Sequence, residues 1–266
     1  MAITTVQGLI DNSRYPRQIV KAGVGTYATG RLHTLWAANG MPAAGTYDTT
    51  LNGVTLSAPT TGGITFENPV SGKTYLSLFR GQTLTTATAV LADRLWHNGG
   101  IDATSTLAQS ITSPTWPARD ISGSTNGDGV FLAVEVSAAV GAGTPTITVS
   151  YTNEAGTSGR TGTNIETTVA NSAIGAVYRI GLQAGDKGVR SVQSLTLSAT
   201  WTSGTINLVA YRPIAMIAAS QLVSTIEDAV TLGAPVLHDG SVPYFMLGMA
   251  AIVSSTLMGQ LQFSQG

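Results

Sequence analysis

The sequence predicts a mainly β protein, an antiparallel sandwich resembling a jelly roll, with an irregular N-terminal arm and few short helices. Two observations carry this prediction. Apolar and polar residues alternate through much of residues 129–213, as half-buried strands require because successive side chains point to opposite faces of a sheet. Short segments rich in Gly, Asn and Ser divide the same stretch into pieces of strand length, as turns would.

The clearest strand is residues 146–152. Ile147, Val149 and Tyr151 fall on one face, and four hydroxyl-bearing residues fall on the other. Residues 153–156 have turn chemistry, so a returning strand is predicted directly after them.

Three further strands are predicted in this core. Residues 130–136 place a large apolar side chain at every second position. Residues 195–201 alternate in the same way, residues 202–204 supply a turn, and residues 206–210 alternate back. The last two strands are therefore predicted to form a hairpin.

The chain is predicted to divide into four segments. Two prolines within residues 112–120 exclude regular structure there and mark the main boundary. The predicted segments are an N-terminal arm at 1–45, a β-rich region at 46–120, the sandwich core at 121–215 and a C-terminal segment at 216–266 that returns to the assembly.

The least certain elements lie outside the core. Residues 87–101 fit either a helical stripe or a strand, and the β-rich surroundings favour the strand. Short helices are predicted around residues 32–36 and 224–230. Residues 74–79 and 244–263 are predicted to form strands.

Composition limits the choice of partners. Charged residues make up 10% of the chain, against roughly 25% in an average globular domain. The net charge is −1, and no dense basic run is present, which argues against nucleic-acid binding. The surface is therefore expected to be covered by neutral hydroxyl groups or by other copies of the chain, and a net charge near zero favours self-association.

Several classes of protein are excluded or disfavoured. The chain has no cysteine, which excludes disulfides and thiolate metal sites. Its N-terminus does not resemble a secretory signal, and the most apolar stretch, residues 246–253, is too short to span a bilayer. We expect synthesis in the cytoplasm and no membrane partner.

The sequence predicts no catalytic, cofactor or metal site. The histidines at 33, 97 and 238 lack the spacing of a metal site, and His97 is expected to be a hydrogen-bonded packing residue. Residues 238–241 contain His, Asp and Ser, but neighbours in a tight turn cannot adopt triad geometry. Residues 126–128 resemble only part of a calcium loop.

Two further kinds of site were considered against simpler interpretations. An acid pair for glycoside cleavage would have to come from Glu67, Asp93, Glu135, Glu154 or Glu166. A solvated surface explains these five carboxylates equally well. Tryptophans 36, 96 and 116 would form a sugar-stacking platform if exposed, whereas Trp201 alternates with leucines and is expected in the core.

Several phrases resemble a family of tailed-bacteriophage virion proteins, the head-decoration or minor capsid proteins. They lie within residues 70–215 and comprise DRLWHNG (93–99), SPTWPARD (113–120), GSTNGDG (123–129), TPTITVSYTN (144–153), GVRSVQS (188–194) and NLVAYR (207–212). None of them is a catalytic signature. The resemblance implies a non-enzymatic role in the virion.

From the resemblance and the composition together, we expect a capsid decoration (cement) protein that stabilises the head. Its expected partners are the major capsid protein and copies of itself, with a homotrimer favoured and no cofactor. Its expected location is the virion, assembled in the host cytoplasm. The alternatives are a tail, baseplate or fibre protein with a receptor- or carbohydrate-binding face, and a cell-wall hydrolase.

Overall fold

The computed structural model describes residues 3–69 and 71–266. Within these residues, 43% of the chain is strand and 4% is helix. The helices are α1 (Val6–Asp11) and α2 (Ala229–Leu232). The strands are β1 (Arg17–Lys21), β2 (Leu32–Thr34), β3 (Gly40–Met41), β4 (Val54–Thr55), β5 (Thr74–Thr83), β6 (Ala87–His97), β7 (Gln109–Ser110), β8 (Phe131–Ala138), β9 (Ile147–Asn153), β10 (Arg160–Asn164), β11 (Val177–Gly181), β12 (Val189–Leu197), β13 (Thr205–Ala219), β14 (Thr225–Asp228), β15 (Val236–Leu237), β16 (Pro243–Met249) and β17 (Leu257–Gln265).

The strands form two curled antiparallel sheets, which confirms the predicted mainly β sandwich. The six-stranded sheet has the order β14-β5-β17-β1-β3, with β15 also paired to β5. The eleven-stranded sheet has the order β2-β16-β6-β13-β8-β11-β10-β9-β12-β7, with β4 also paired to β6. Neither sheet is built from one continuous part of the sequence.

The ambiguous segment at 87–101 is a strand over Ala87–His97, as favoured above. This strand, β6, lies between β13 and β16, and nearly all its side chains are buried. Leu91 packs towards the six-stranded sheet, and Ala92 packs on the opposite face. A strand buried on both faces has no polar stripe, which is why its sequence did not alternate clearly.

The predicted strands of the core are confirmed, but one predicted pairing is wrong. β9 pairs with its return β10 directly after the turn, and β8 buries Leu132, Val134 and Val136 as predicted, together with Ala133 and Glu135 on its other face. β12 and β13, however, do not form a hairpin. β12 pairs with β9 and β7, while β13 pairs with β8 and β6. Alternation identifies a strand and its buried face, but it does not identify the neighbouring strand.

Both of the predicted short helices are largely wrong. Residues 32–34 form β2, which pairs with β16. Residues 225–228 form β14, which pairs with β5. The helical signal in the second segment belongs to α2, which starts only after Asp228, whose side chain accepts hydrogen bonds from the backbone N–H groups of Val230 and Thr231.

Part of the predicted N-terminal arm is incorporated into both sheets. β1 pairs with β17 and β3, and β2 pairs with β16. The six-stranded sheet therefore contains strands from near both ends of the chain together with β5 and β14 from between them. Main-chain pairing with other strands satisfies the backbone hydrogen-bonding groups of this segment. The apolar periodicity of the sequence did not predict this pairing.

Two hydrophobic cores lie between layers of strands. The first lies between the six-stranded sheet and β6 and β16, and includes Phe79 and Phe245. The second lies where the large sheet curls over itself, so that Val134 of β8, Val149 of β9 and Leu195 of β12 belong to one buried cluster. Burial of this apolar surface is the main stabilising contribution to the sandwich.

A third core lies inside a closed ring of strands. The eleven-stranded sheet returns on itself because His33 of β2 forms a bridge with Ala176, just before β11. The backbone N–H of Thr34 also donates to the carbonyl of Gly175, at 2.8 Å. The ring β2, β16, β6, β13, β8 and β11 encloses a cluster that includes Trp36, Tyr244 and Met246.

A carboxylate fixes the turn between β11 and β12. Asp186 accepts hydrogen bonds from Tyr151 Oη at 2.6 Å, Asn153 Nδ2 at 2.7 Å and two nitrogens of Arg160 at 2.9 Å. The bonds from Arg160, Tyr151 and Asn153 outweigh the effect of burial and lower the pKa of Asp186 from 3.8 to about 2. This group therefore ties the tip of β9 to the turn.

We expect the Asp186→Asn variant to be less stable than the wild type at neutral pH. Because the pKa of Asp186 is depressed in the folded protein, its contribution is present above pH 3.8 and is lost as the pH falls towards about 2. Urea unfolding of both proteins at pH 7 and at pH 2.5 measures this. A stability difference that is equal at the two pH values would contradict the assignment.

Candidate interaction surface

The tryptophans do not form a sugar-stacking platform. Trp36, Trp96, Trp116 and Trp201 are each at most 1% exposed. Trp96 and Trp116 pack against each other with ring centroids 5.3 Å apart. The core position expected for Trp201 is confirmed, and the platform considered for the other three is wrong.

The five candidate acids are each engaged in separate structural contacts. Asp93 lies 3.4 Å from Arg119, Glu135 lies 2.9 Å from Arg94, and Glu166 is paired with Arg179. Glu67 lies 3.7 Å from Arg17. Glu154 accepts hydrogen bonds from the backbone N–H groups of Lys187 and Gly188, both at 3.1 Å. Two of them, Asp93 and Glu135, are fully buried.

Each histidine lies in a different environment. His97 is buried and accepts a hydrogen bond from Arg94 Nε at 3.0 Å, which confirms its expected packing role. Burial, followed by the nearby Arg94 charge, lowers the pKa of His97 to about 2. His33 stacks on Tyr27 with ring centroids 4.2 Å apart. In residues 3–69 and 71–266, no three His, Asp or Glu side chains are grouped as metal ligands would be.

The segment 238–241 is a turn, as predicted. The Ser241 N–H donates to the carbonyl of His238 at 3.0 Å. The Ser241 hydroxyl donates instead to Asp93 at 2.8 Å, so it is not available as a nucleophile activated by His238. His238 lines a surface cleft of about 640 Å³ together with Lys73, Asp239 and the loop at 117–123.

The glycine-rich loop at 120–128 is organised by one buried carboxylate. Asp120 accepts six hydrogen bonds from donors within its own loop, namely the N–H and hydroxyl groups of Ser122 and Ser124 and the N–H groups of Gly127 and Asp128. Burial alone would raise the pKa of Asp120, but bonds from Ser124 and Ser122 outweigh it and lower the pKa. The carboxylate of Asp120 therefore stabilises the fold of its own loop.

A buried ion pair occupies the ring of strands. Arg94 donates to Glu135 from one nitrogen at 3.0 Å and lies 2.9 Å from its other oxygen through a second nitrogen. The Arg94 guanidinium also lies over the rings of Trp36, Tyr244 and Tyr47, at 4.5–5.5 Å from their centroids. Since both charged groups are almost fully enclosed, this cluster is internal and offers no surface for a partner.

Exposed apolar side chains are concentrated at the β14 end of the six-stranded sheet. Four large apolar side chains there are between 55% and 66% exposed: Leu222, Val223, Ile226 and Val230. β14 pairs with β5 on one side and has no strand on its other side among the described residues. We call residues 222–230 the C-terminal edge.

Local structure holds the C-terminal edge in place. Leu222 has a left-handed backbone with φ of 55°, an unusual conformation for a leucine, and its N–H donates to the Thr83 carbonyl at 2.9 Å. The hydroxyl of Ser224 accepts a hydrogen bond from Arg80 Nε at 2.9 Å. The edge ends in α2, whose first turn is stabilised by a capping box at Asp228. The apolar side chains are thus displayed by ordered backbone.

A second apolar surface lies at the opposite end of the same sheet. Tyr15, Val20 and Met41 are 48–79% exposed there, and Val20 and Met41 lie opposite each other in the pairing of β1 with β3. Tyr15 and Met41 also line a groove of about 260 Å³, together with Pro42 and Ile64. We call Tyr15, Val20, Met41 and this groove the N-terminal edge.

Lys21 supports the N-terminal edge from inside. It is buried, and its ammonium group donates to the carbonyl oxygens of Ala38 at 2.6 Å, Pro42 at 3.0 Å and Ala43 at 3.3 Å. Burial lowers the pKa of Lys21 to about 8. The three bonds hold the segment that carries β3 against β1.

Sequence analysis did not identify either edge. Residues 224–230 were predicted to form a short helix, and Tyr15 and Met41 lay in the predicted arm. Four large apolar residues among the nine at 222–230 were the available signal. The exposure of these side chains depends on which strand β14 pairs with, and the sequence pattern does not predict that partner.

Comparison with known proteins adds little to this description. No family model matches the chain, and no curated protein matches it. Two solved structures from infectious bursal disease virus align over most of the chain with very low scores. The VP2 subviral particle has 8% identity over 96% of this chain and 82% of that chain, with a TM-score of 0.20. The Gt strain structure has 9% identity over 95% and 82%, with a TM-score of 0.17. These scores are too low to establish a shared fold.

Proposed function

We propose that this chain is a structural protein of a tailed-bacteriophage virion, namely a capsid decoration protein that binds the major capsid lattice and stabilises the head. The observation that carries the proposal is the pair of exposed apolar edges on a nearly neutral β sandwich. Exposed apolar surface of this kind is typical of protein–protein contact. The resemblance of residues 70–215 to decoration and minor capsid proteins supports a virion setting.

The proposed role is non-enzymatic. The side chains considered for chemistry hold strands and turns together through ion pairs and hydrogen bonds. The proposed partners are the major capsid protein and other copies of this chain, rather than nucleic acid or a membrane. Neither helix in the described residues combines the length and hydrophobicity needed to cross a membrane. The proposed location is the virion, after assembly in the host cytoplasm.

Decoration is favoured over the alternative role as a carbohydrate-binding tail or fibre protein. Sugar binding through stacking requires exposed aromatic rings; all four tryptophans are buried, and Tyr15 is the single exposed ring at the two edges. The exposed side chains at the two edges are instead mainly aliphatic, which suits close packing against protein.

Phage particles made without this chain are expected to lose DNA at a lower temperature or at lower salt than complete particles. Many weak contacts repeated over a lattice add up to a large stabilisation of the shell. The measurement is DNA release during heating, followed with a dye that cannot enter intact heads. Adding the purified protein back should restore the wild-type temperature. Unchanged release without the protein would contradict a cement role.

A further inference from the structure

We infer that copies of this chain join head to tail through the six-stranded sheet, with the C-terminal edge of one copy packed against the N-terminal edge of the next. The inference rests on the proposed function for its biological setting, since a decoration protein acts in many copies. It assigns the self-association to two specific and different surfaces.

The first argument is the position of the two edges. β14 and β3 are the end strands of one sheet path, so each has an open side among the described residues. Across a path of five strands, the two ends lie roughly 19 Å apart, at about 4.8 Å for each step. One copy therefore has room for a different neighbour at each end.

The second argument is apolar exposure. Open strand edges are usually protected by charges or prolines, because unpaired backbone groups and apolar side chains invite association. Ile226 of β14 and Met41 of β3 are more than half exposed, although Glu227 and Asp228 lie in β14 and Pro42 follows β3. The groove beside Met41 offers a concave apolar site to an aliphatic side chain from a neighbour.

The third argument is charge. At the N-terminal edge, Arg14 precedes β1 and Arg17 begins it, whereas the ammonium group of Lys21 is buried beneath the edge. At the C-terminal edge, β14 carries Glu227 and Asp228, and Arg80 of β5, which donates to Ser224, offsets one of these two negative charges. Glu67, paired with Arg17, offsets one positive charge at the N-terminal edge.

This charge distribution distinguishes two modes of association. Pairing of a C-terminal edge with its own copy would bring Glu227 and Asp228 against the same two acids. Pairing of a C-terminal edge with an N-terminal edge brings acids towards Arg14 and Arg17 instead. Opposite charges favour the second arrangement, which is heterologous. A heterologous contact with a closing rotation produces a ring, and we expect a ring of three.

The mass of the purified protein in solution tests the contact without any capsid. Light scattering should give three times the 27.3 kDa mass of one chain, and this mass should not change with concentration. Ile226→Lys and Met41→Lys should each reduce the mass to that of a monomer. Leu107→Lys is the matched control, because Leu107 is 76% exposed but lies on neither edge, and it should leave the mass unchanged.

Mixing the two edge variants distinguishes heterologous from symmetric pairing. Ile226→Lys retains an intact N-terminal edge, and Met41→Lys retains an intact C-terminal edge. The mixture should therefore form a dimer with twice the mass of one chain, but no larger species. Failure of the mixture to associate, when the wild type does, would overturn the head-to-tail arrangement.

A cysteine pair provides a test that does not depend on disruptive substitutions. The natural chain contains no cysteine, so Ile226→Cys combined with Met41→Cys introduces the only two thiols. Mild oxidation should link copies into oligomers, whereas neither single variant should form more than a small amount of linked dimer. Absence of linked oligomers, or a wild type that is monomeric at every concentration, would overturn the inference. Neither result would affect binding of single copies to heads, which tests the proposed function separately.

Discussion

Replacing Arg94 with methionine is expected to destabilise the protein by about 3–5 kcal/mol, since it leaves Glu135 buried without its partner. Glu135 is held by Arg94 through two contacts of 2.9–3.0 Å inside the ring of strands. Methionine keeps much of the side-chain volume, so the loss reports the uncompensated charge rather than a cavity. Urea unfolding at pH 7 measures it.

Removing both charges together should cost less than removing either one alone. The Arg94→Met, Glu135→Leu double variant replaces the ion pair with apolar side chains in a ring that is already apolar. Arg179→Met is the matched surface control, because Arg179 pairs with Glu166 but is 45% exposed. Its expected effect is about 0–1 kcal/mol. If Arg94→Met and Arg179→Met lower the free energy of unfolding equally, that result would contradict the burial of the Arg94–Glu135 pair.

Replacing Asp120 with alanine is expected to destabilise the protein by about 2–4 kcal/mol, because six donors in the loop at 120–128 lose their common acceptor. The same loop borders the cleft at His238, so its backbone amides should also exchange faster with solvent. Urea unfolding and hydrogen exchange of residues 120–128 measure the two effects.

Asp102→Ala is the control for Asp120. Asp102 also accepts hydrogen bonds two residues ahead, from the N–H and hydroxyl of Thr104 at 2.8 and 2.7 Å, but it is exposed. Its loss should therefore be much smaller, because water replaces the carboxylate. If Asp120→Ala is no more destabilising than Asp102→Ala, the organising role of Asp120 is wrong.

Local patterns predicted those strands that have one polar face. β9 alternates between buried apolar and partly exposed polar residues, and it was identified with its turn and return. β6 was harder to assign, since burial on both faces removes alternation. The partners of β12 and β13 could not be predicted, because pairing between strands distant in sequence is decided by the packing of whole layers.

Asp93 and Arg94 also show that contacts between residues distant in sequence could not be predicted. Adjacent residues in a strand point to opposite faces, so Asp93 and Arg94 do not face one another. Their actual partners, Arg119 and Glu135, are 26 and 41 residues away, and the sequence contains no signal that joins them. The two edges were missed for a related reason: exposure of an apolar residue becomes visible only when the strand order is known.

Binding of the purified protein to heads that lack it tests the proposed function most directly. Heads from phage that do not make this chain are mixed with increasing amounts of the protein and sedimented, and the bound copies are counted per head. The proposal predicts saturable binding at a fixed number of copies, on lattice positions visible by electron microscopy. Protein that stays in the supernatant at every concentration, or that binds only to tails, would contradict a role in capsid decoration.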